Sequence, residues 1–303
     1  MNIMKKRTIV FSNLKNFSIV STFFALWIST YFNVSSEDLL GYFLILSIGL
    51  LHGSNDLKII VQTSNKLKGF GFFKLLSGYI FIVTLVGVSF YFIPAFALLI
   101  FILISAYHFG EQHWNTLFWK KNIFVNIFFV SYGLMILFGI FMFNDQLTSE
   151  IIFNLTNIKL SQIHFKWVLY LTMFSTFINS VLLYNKKFFD CNIPVELFLL
   201  LVFAVVFYKS TLIWSFAIYF ILWHSLPSIL DQTKQLYGCI SKENVFRYVK
   251  SSFLYWFVSV FGLSVLFYLL KDDFIFFNSV FFSLLAAITF PHVMVMRIFY
   301  KTK

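Results

Sequence analysis

Most of this chain consists of apolar runs about 20 residues long, separated by short polar connections, and that spacing admits few folds. A backbone inside a bilayer finds no water, so each run must satisfy its own N–H and C=O groups as a helix. Ten segments have the length or come close to it: 17–33, 39–57, 75–92, 95–119, 122–143, 165–184, 193–208, 211–230, 252–270 and 276–297. Composition points the same way, with 60% hydrophobic and 12% charged residues and a mean hydropathy of +0.85, where soluble domains carry about 25% charged residues. The expected fold is all-α, a polytopic membrane bundle of about ten transmembrane helices forming a single domain over 1–303. No sequence repeat or low-complexity linker divides it. No small-residue cleavage site follows the first apolar segment, so no secretory signal peptide is expected.

The net charge of +11 is distributed as a membrane topology and not as a nucleic-acid footprint, so no nucleic-acid partner is expected. Lys5, Lys6, Arg7 and Lys15 precede the first segment. Lys58, Lys66, Lys68 and Lys74 lie between the second and third. Lys120, Lys121, Lys186 and Lys187 follow the fourth and sixth; Lys234, Lys242, Arg247 and Lys250 follow the eighth; Arg297, Lys301 and Lys303 close the chain. Only Lys159, Lys166, Lys209 and Lys271 fall on the other side. The positive-inside rule then puts both termini in the cytoplasm of a multi-pass protein of the cell's inner membrane. Cys191 and Cys239 are far apart and in no metal-binding spacing, which argues against a disulfide framework and a thiolate site.

Against this apolar background the histidines stand out. His164 belongs to an external connection and reads as a solvated loop residue. His52, His108 and His113, His224, and His292 lie in the second, fourth, eighth and tenth segments, all running from outside to inside. His52, His108, His224 and His292 each precede the next cytoplasmic basic residue by about 5 to 12 positions, which at 1.5 Å per residue puts them within about 10 Å of one depth. A single buried histidine is commonly a satisfied core group. Four at matched depth point to a site, because polar side chains within a bilayer are costly. Neutral imidazoles are metal ligands, and an all-imidazole set suits iron, zinc or copper.

Nearby polar residues fit a supporting role. Asp56 follows His52 by four residues and Glu111 follows His108 by three, so either carboxylate can orient a ligand on a neighbouring helix; Glu111 could instead bind a metal directly. Lys58 and Lys120 are the competing ion-pair partners. Gly53 and Gly110 allow close helix approach. His113, five residues after His108, points well away from it and reads as supporting or lining.

Four motifs in order, LHGSNDL at 51–57, YHFGEQHW at 107–114, WHSLPS at 223–228 and FPHVMVMR at 290–297, resemble the Brp/Blh family of bacterial and archaeal β-carotene 15,15′-dioxygenases. The resemblance implies a membrane enzyme that cuts β-carotene at its central double bond with O2 to give two molecules of all-trans-retinal. It also implies a non-haem Fe(2+) held by His52, His108 and His224, with His292 as the fourth ligand and catalytic residue. Two positions depart from the pattern: Ser228 stands where some relatives carry a second histidine, and His113 where relatives often have an acid. A retinal-forming enzyme would supply a microbial rhodopsin in the same cell.

Tyr107, Phe109, Trp114, Tyr219, Phe220, Trp223 and Phe290 lie near the histidines and are candidates to wall an apolar tunnel opening to the lipid bilayer. Rival readings are a transporter of divalent metal or protons, and a non-enzymatic factor for retinal-protein assembly. Histidines gathered in one layer fit a transport path poorly, and Pro291 beside His292 is expected to kink the tenth segment. A di-iron desaturase would need more histidines than the six present, in HxxxH and HxxHH boxes that do not occur.

Overall fold

Chain segments that lipid cannot hydrogen-bond become helices. The computed structural model describes residues 2–63, 71–115, 117–119, 122–189, 191–270 and 272–301, with side chains described from residue 14 to residue 300. The order is α1 (Asn2–Ser29), α2 (Val34–Leu44), α3 (Asp56–Thr63), α4 (Phe72–Phe92), α5 (Pro94–Trp114), α6 (Ile123–Phe143), α7 (Asp145–Thr156), α8 (Gln162–Asn185), α9 (Ile193–Lys209), α10 (Leu212–Ile218), α11 (Leu226–Tyr237), α12 (Lys242–Leu270) and α13 (Phe274–Lys301). Short π-helical segments follow α2 (Ile45–Gly49) and join α10 to α11 (Tyr219–Ser225). No strand occurs among the described residues, beyond an isolated bridge between Phe118 and Phe189. Lys66, Lys68, Lys120, Lys121, Lys271 and Lys303 lie outside the described residues, as do the side chains of Lys5, Lys6, Arg7 and Lys301.

Among the described residues, 7 helices are long and apolar enough to cross a membrane: α4, α5, α6, α8, the α10–α11 unit Leu212–Tyr237, α12 and α13. The other three expected segments fall short for identifiable reasons. The described apolar part of α1 is Leu14–Ser29. The segment 39–57 is interrupted by a turn at residues 52–55. The ninth helix has only 17 residues.

The α10–α11 unit is the centre of the bundle: 83% of its apolar window is buried, against 6% for α12, whose surface faces outward. α2 packs on α10, α3 on α11 and α13, and α13 also on α4, α5 and α7. α5 and α6 make a very close pair. A Cβ at Gly110 would fall on the Phe129 carbonyl, and one at Gly133 on the Ala106 carbonyl, so two glycines let the backbones touch reciprocally. That contact fixes the rotation of α5 and hence the direction in which His108 points.

The expected external connection after α6 is largely helical. α7 carries Thr148, Ile151 and Ile152 on its buried face and Glu150 and Asn154 on the other side. It packs against α5, α6, α8 and α13. His164 is exposed and sits in the first turn of α8, where it shares a capping box with Ser161.

Gly133→Leu should lower the detergent-solubilised melting temperature or abolish the monodisperse species, since overpacking costs about 1–3 kcal/mol or more. Gly78→Leu, at a position with open space around it, should not. Equal stability of the two variants would contradict the close α5–α6 contact.

Candidate metal centre

The second segment breaks where its histidine lies. The helix stops at Leu51, residues 52–55 form a turn, and α3 starts at Asp56. A broken helix frees backbone carbonyls that must find partners. The His52 carbonyl accepts from Gln232 Nε2 at 2.8 Å and from the Tyr248 hydroxyl at 3.0 Å. Asn55 ties the turn to α12, donating from Nδ2 to the Tyr248 carbonyl at 3.1 Å and accepting from Ser251 Oγ at 2.8 Å. His224 lies in the π-helical segment of the central unit; such widened turns redirect side chains and are frequent at functional sites. His108 comes from α5, and His292 from α13, which runs through Pro291 as one helix.

These elements bring four imidazoles together in a closed circuit. Ring centroids lie 5.1 Å apart for His52–His224, 4.6 Å for His224–His108, 5.2 Å for His108–His292 and 4.6 Å for His292–His52. Their exposures are 6% for His52, 1% for His108 and His224, and 3% for His292, so bulk water does not solvate them. The hydrogen bonds settle two tautomers. His52 Nδ1–H donates to the Gly49 carbonyl, with Ser225 Oγ 3.3 Å from the same nitrogen. His292 Nδ1–H donates to the Asp56 carboxylate, at 2.9 and 3.1 Å from its two oxygens. In both rings this leaves Nε2 as the nitrogen that carries the lone pair. His292 Nε2 and both ring nitrogens of His108 and of His224 have no hydrogen-bond partner among the described residues.

One ligand atom from each of His52, His224 and His292 lies within 4.8 Å of the others, a spacing that could hold a metal ion. His108 stands beside this triad, against His224 and His292. Buried nitrogens without partners cost about 1–3 kcal/mol each. A bound cation would satisfy one on every ring, so the donor set fits a metal held by imidazoles.

Asp56 also accepts from the Tyr79 hydroxyl at 3.0 Å, so its carboxylate is fixed from two sides. Glu111 accepts from the Tyr107 hydroxyl on its own helix at 3.1 Å. His113 turns instead toward α9, where its Nε2 lies 3.2 Å from Glu196 Oε2. Ser228 accepts from Gln232 Nε2 at 2.9 Å, within the same network that holds the His52 carbonyl. Gln232, Tyr248 and Tyr79 escape sequence reasoning. Gln232 leaves a faint signal, two turns past His224 on a mostly apolar unit; the two tyrosines leave none.

The histidines lie at one end of a cavity of about 100 Å3. Its walls are aliphatic and phenylalanine side chains from α5, α6, α7, α10 and α13. Among the described residues, its polar side chains besides the histidines are Ser105, Thr148 and Thr289, and no Asp, Glu, Lys or Arg lines it. Phe109 and Phe220 line it and pack against His224, with centroids at 4.8 and 5.5 Å. The other aromatic candidates do not line it. Trp114 packs among Phe128, Tyr132 and Phe189; Trp223 and Tyr219 pack on Phe203. Tyr107 packs on Phe129, and Phe290 sits against the apolar contact of α4 with α13.

The family model for beta-carotene 15,15'-dioxygenase matches residues 43–300, a stretch that contains all four histidines, and the chain belongs to that family. No curated protein and no solved structure matches it.

Protein purified in mild detergent should carry about one transition-metal ion per chain by mass spectrometry. His52→Ala and His292→Ala should lose it, and Asp56→Asn should weaken retention about 10–100-fold. Undiminished metal in the histidine variants would contradict the site.

Proposed function

From membership of this family and from the imidazole circuit, we propose that the chain is one catalytic domain that cleaves β-carotene at its 15,15′ double bond with O2, giving two molecules of all-trans-retinal. The observation that carries this is the junction of an uncharged apolar cavity with four buried, converging imidazoles. Fe(2+), held by His52, His108, His224 and His292, would supply the activation of O2.

This chain's own residues have three tasks. The aliphatic walls bind a polyene by burial alone, which suits a hydrocarbon with no group to hydrogen-bond. Phe109 and Phe220, beside His224, hold the chain over the floor. Asp56 and the Gly49 carbonyl keep His292 and His52 in the tautomer whose Nε2 carries the lone pair. Scission of one double bond by O2 gives two carbonyls and needs no reductant, and no proton is consumed. Among the described residues, the cavity lining holds no carboxylate, lysine or arginine, in keeping with that balance. The protein would reside in the cell's inner membrane with both termini cytoplasmic, take its substrate from the bilayer, and supply retinal to a microbial rhodopsin; the last point is carried by the family resemblance alone. A transporter of metal or protons would need ionisable groups spread along a path, whereas the ionisable groups of the cavity lining, the four histidines, cluster at one end. A retinal-protein assembly factor would keep the metal and produce no aldehyde.

Expression in cells that accumulate β-carotene should yield retinal. His52→Ala, His108→Ala, His224→Ala and His292→Ala, at equal membrane levels, should yield none. Colourless cells without retinal, or retinal persisting in His224→Ala, would contradict the proposal.

A further inference from the structure

The cavity is one-sided. Along α5 its lining residues begin at Leu98, ten positions before His108; along α13 they begin at Phe282, ten before His292; in the central unit they begin at Leu212, twelve before His224. None follows its histidine by more than one position. Beyond the histidines the buried side chains include the polar groups Asp56, Gln112, Gln232 and Thr233, beside a separate apolar cluster of Ile59, Val295, Met296 and Phe299, and none of these lines the chamber. The chamber thus reaches about 15–18 Å from its imidazole floor, at 1.5 Å per residue, in one direction only.

Its far end is roofed. α6 and α5 run antiparallel, so α7, one residue after α6, begins at the level where α5 starts. There the buried face of α7 (Thr148, Ile151 and Ile152) closes over the chamber. All-trans carotenes are stiff rods. A rod with a ring at each end cannot put both halves into a chamber whose depth is comparable with one half.

We propose that the α7 roof and the histidine floor form a ruler: one ring-bearing half of the substrate occupies the chamber, its ring abuts α7, and the roof-to-floor distance selects the bond to be cut. The other half leaves beside the floor, where Gly53, Ile288 and Thr289 are part-exposed. Ile151 and Thr148 are then specificity-determining residues, although they lie in a connection between spans and far from the histidines. This rests on the carotene-cleaving reading of the site.

The test is product chain length, read by chromatography and mass spectrometry. The unaltered protein is given β-carotene and a series of apocarotenals that keep one ring and are shortened at the other end. The ruler cuts every member at the same bond counted from the ring, so retinal is a product each time. Ile151→Trp shortens the chamber and shifts the cut toward the ring held inside it, giving an unequal pair of aldehydes from β-carotene. Ile151→Ala deepens it and shifts the cut the other way. A cut that follows the midpoint of each shortened chain would overturn the ruler. So would retinal as the sole product of β-carotene in both Ile151 variants. If the unaltered protein forms no aldehyde from any of these polyenes, the carotene reading itself fails, and the ruler with it.

Discussion

Imidazole nitrogens buried without protein partners are the constraint around which this molecule is arranged. His108 and His224 present both ring nitrogens unpaired and His292 one. At about 1–3 kcal/mol each, their burial amounts to a sizeable part of the 5–15 kcal/mol net stability typical of folded proteins. A common cation would satisfy one nitrogen on each ring, and convergence on it requires every contributing backbone to be held in place. The close α5–α6 glycine contacts, the Asn55 ties to α12 and the Gln232–Tyr248 pair at the His52 carbonyl can all be understood as meeting that requirement.

Helical regularity is given up where the cluster needs it. A straight helix through residues 39–57 would leave the His52 carbonyl inside its own ladder and its imidazole fixed by helical rotation. The turn at 52–55 instead lets Nδ1 bond back to Gly49 while the chain resumes at Asp56, whose carboxylate reaches His292 on another helix. In the central unit, the π-helical segment Tyr219–Ser225 does the corresponding work for His224. The space above the histidines is walled mainly by leucine, isoleucine and phenylalanine side chains, with Ser105, Thr148 and Thr289 among them.

The histidine layer was legible in the sequence because it opposes its background: a polar residue in an apolar run can be noticed, and counting residues to the next basic group gives its depth. Asp56 was legible for the same reason, although only the structure shows that it serves His292. The aromatic wall was not legible. With 45 phenylalanines in the chain, proximity to a histidine carries little information about facing. Phe109 and Phe220 line the cavity, Trp114 and Trp223 do not, and leucines and isoleucines are the largest group in the lining. Seven of the ten expected crossings correspond to described helices long and apolar enough to span, and hydropathy does not register a turn such as 52–55. α7 was readable in principle from Thr148, Ile151, Ile152 and Leu155 at helical spacing, but Asn, Ser and Glu on its other face make it resemble a polar connection.

The chain belongs to a dioxygenase family, three of its buried histidines are spaced to hold a metal ion, and we propose that His108 completes a set of four imidazoles around it. X-ray absorption at the metal edge of the purified, fully loaded protein tests it most directly. A first shell of about four nitrogens at about 2.0–2.1 Å, with the outer-shell scattering of imidazole rings, is the predicted result. A shell dominated by oxygen, or one lacking the imidazole pattern, would contradict it.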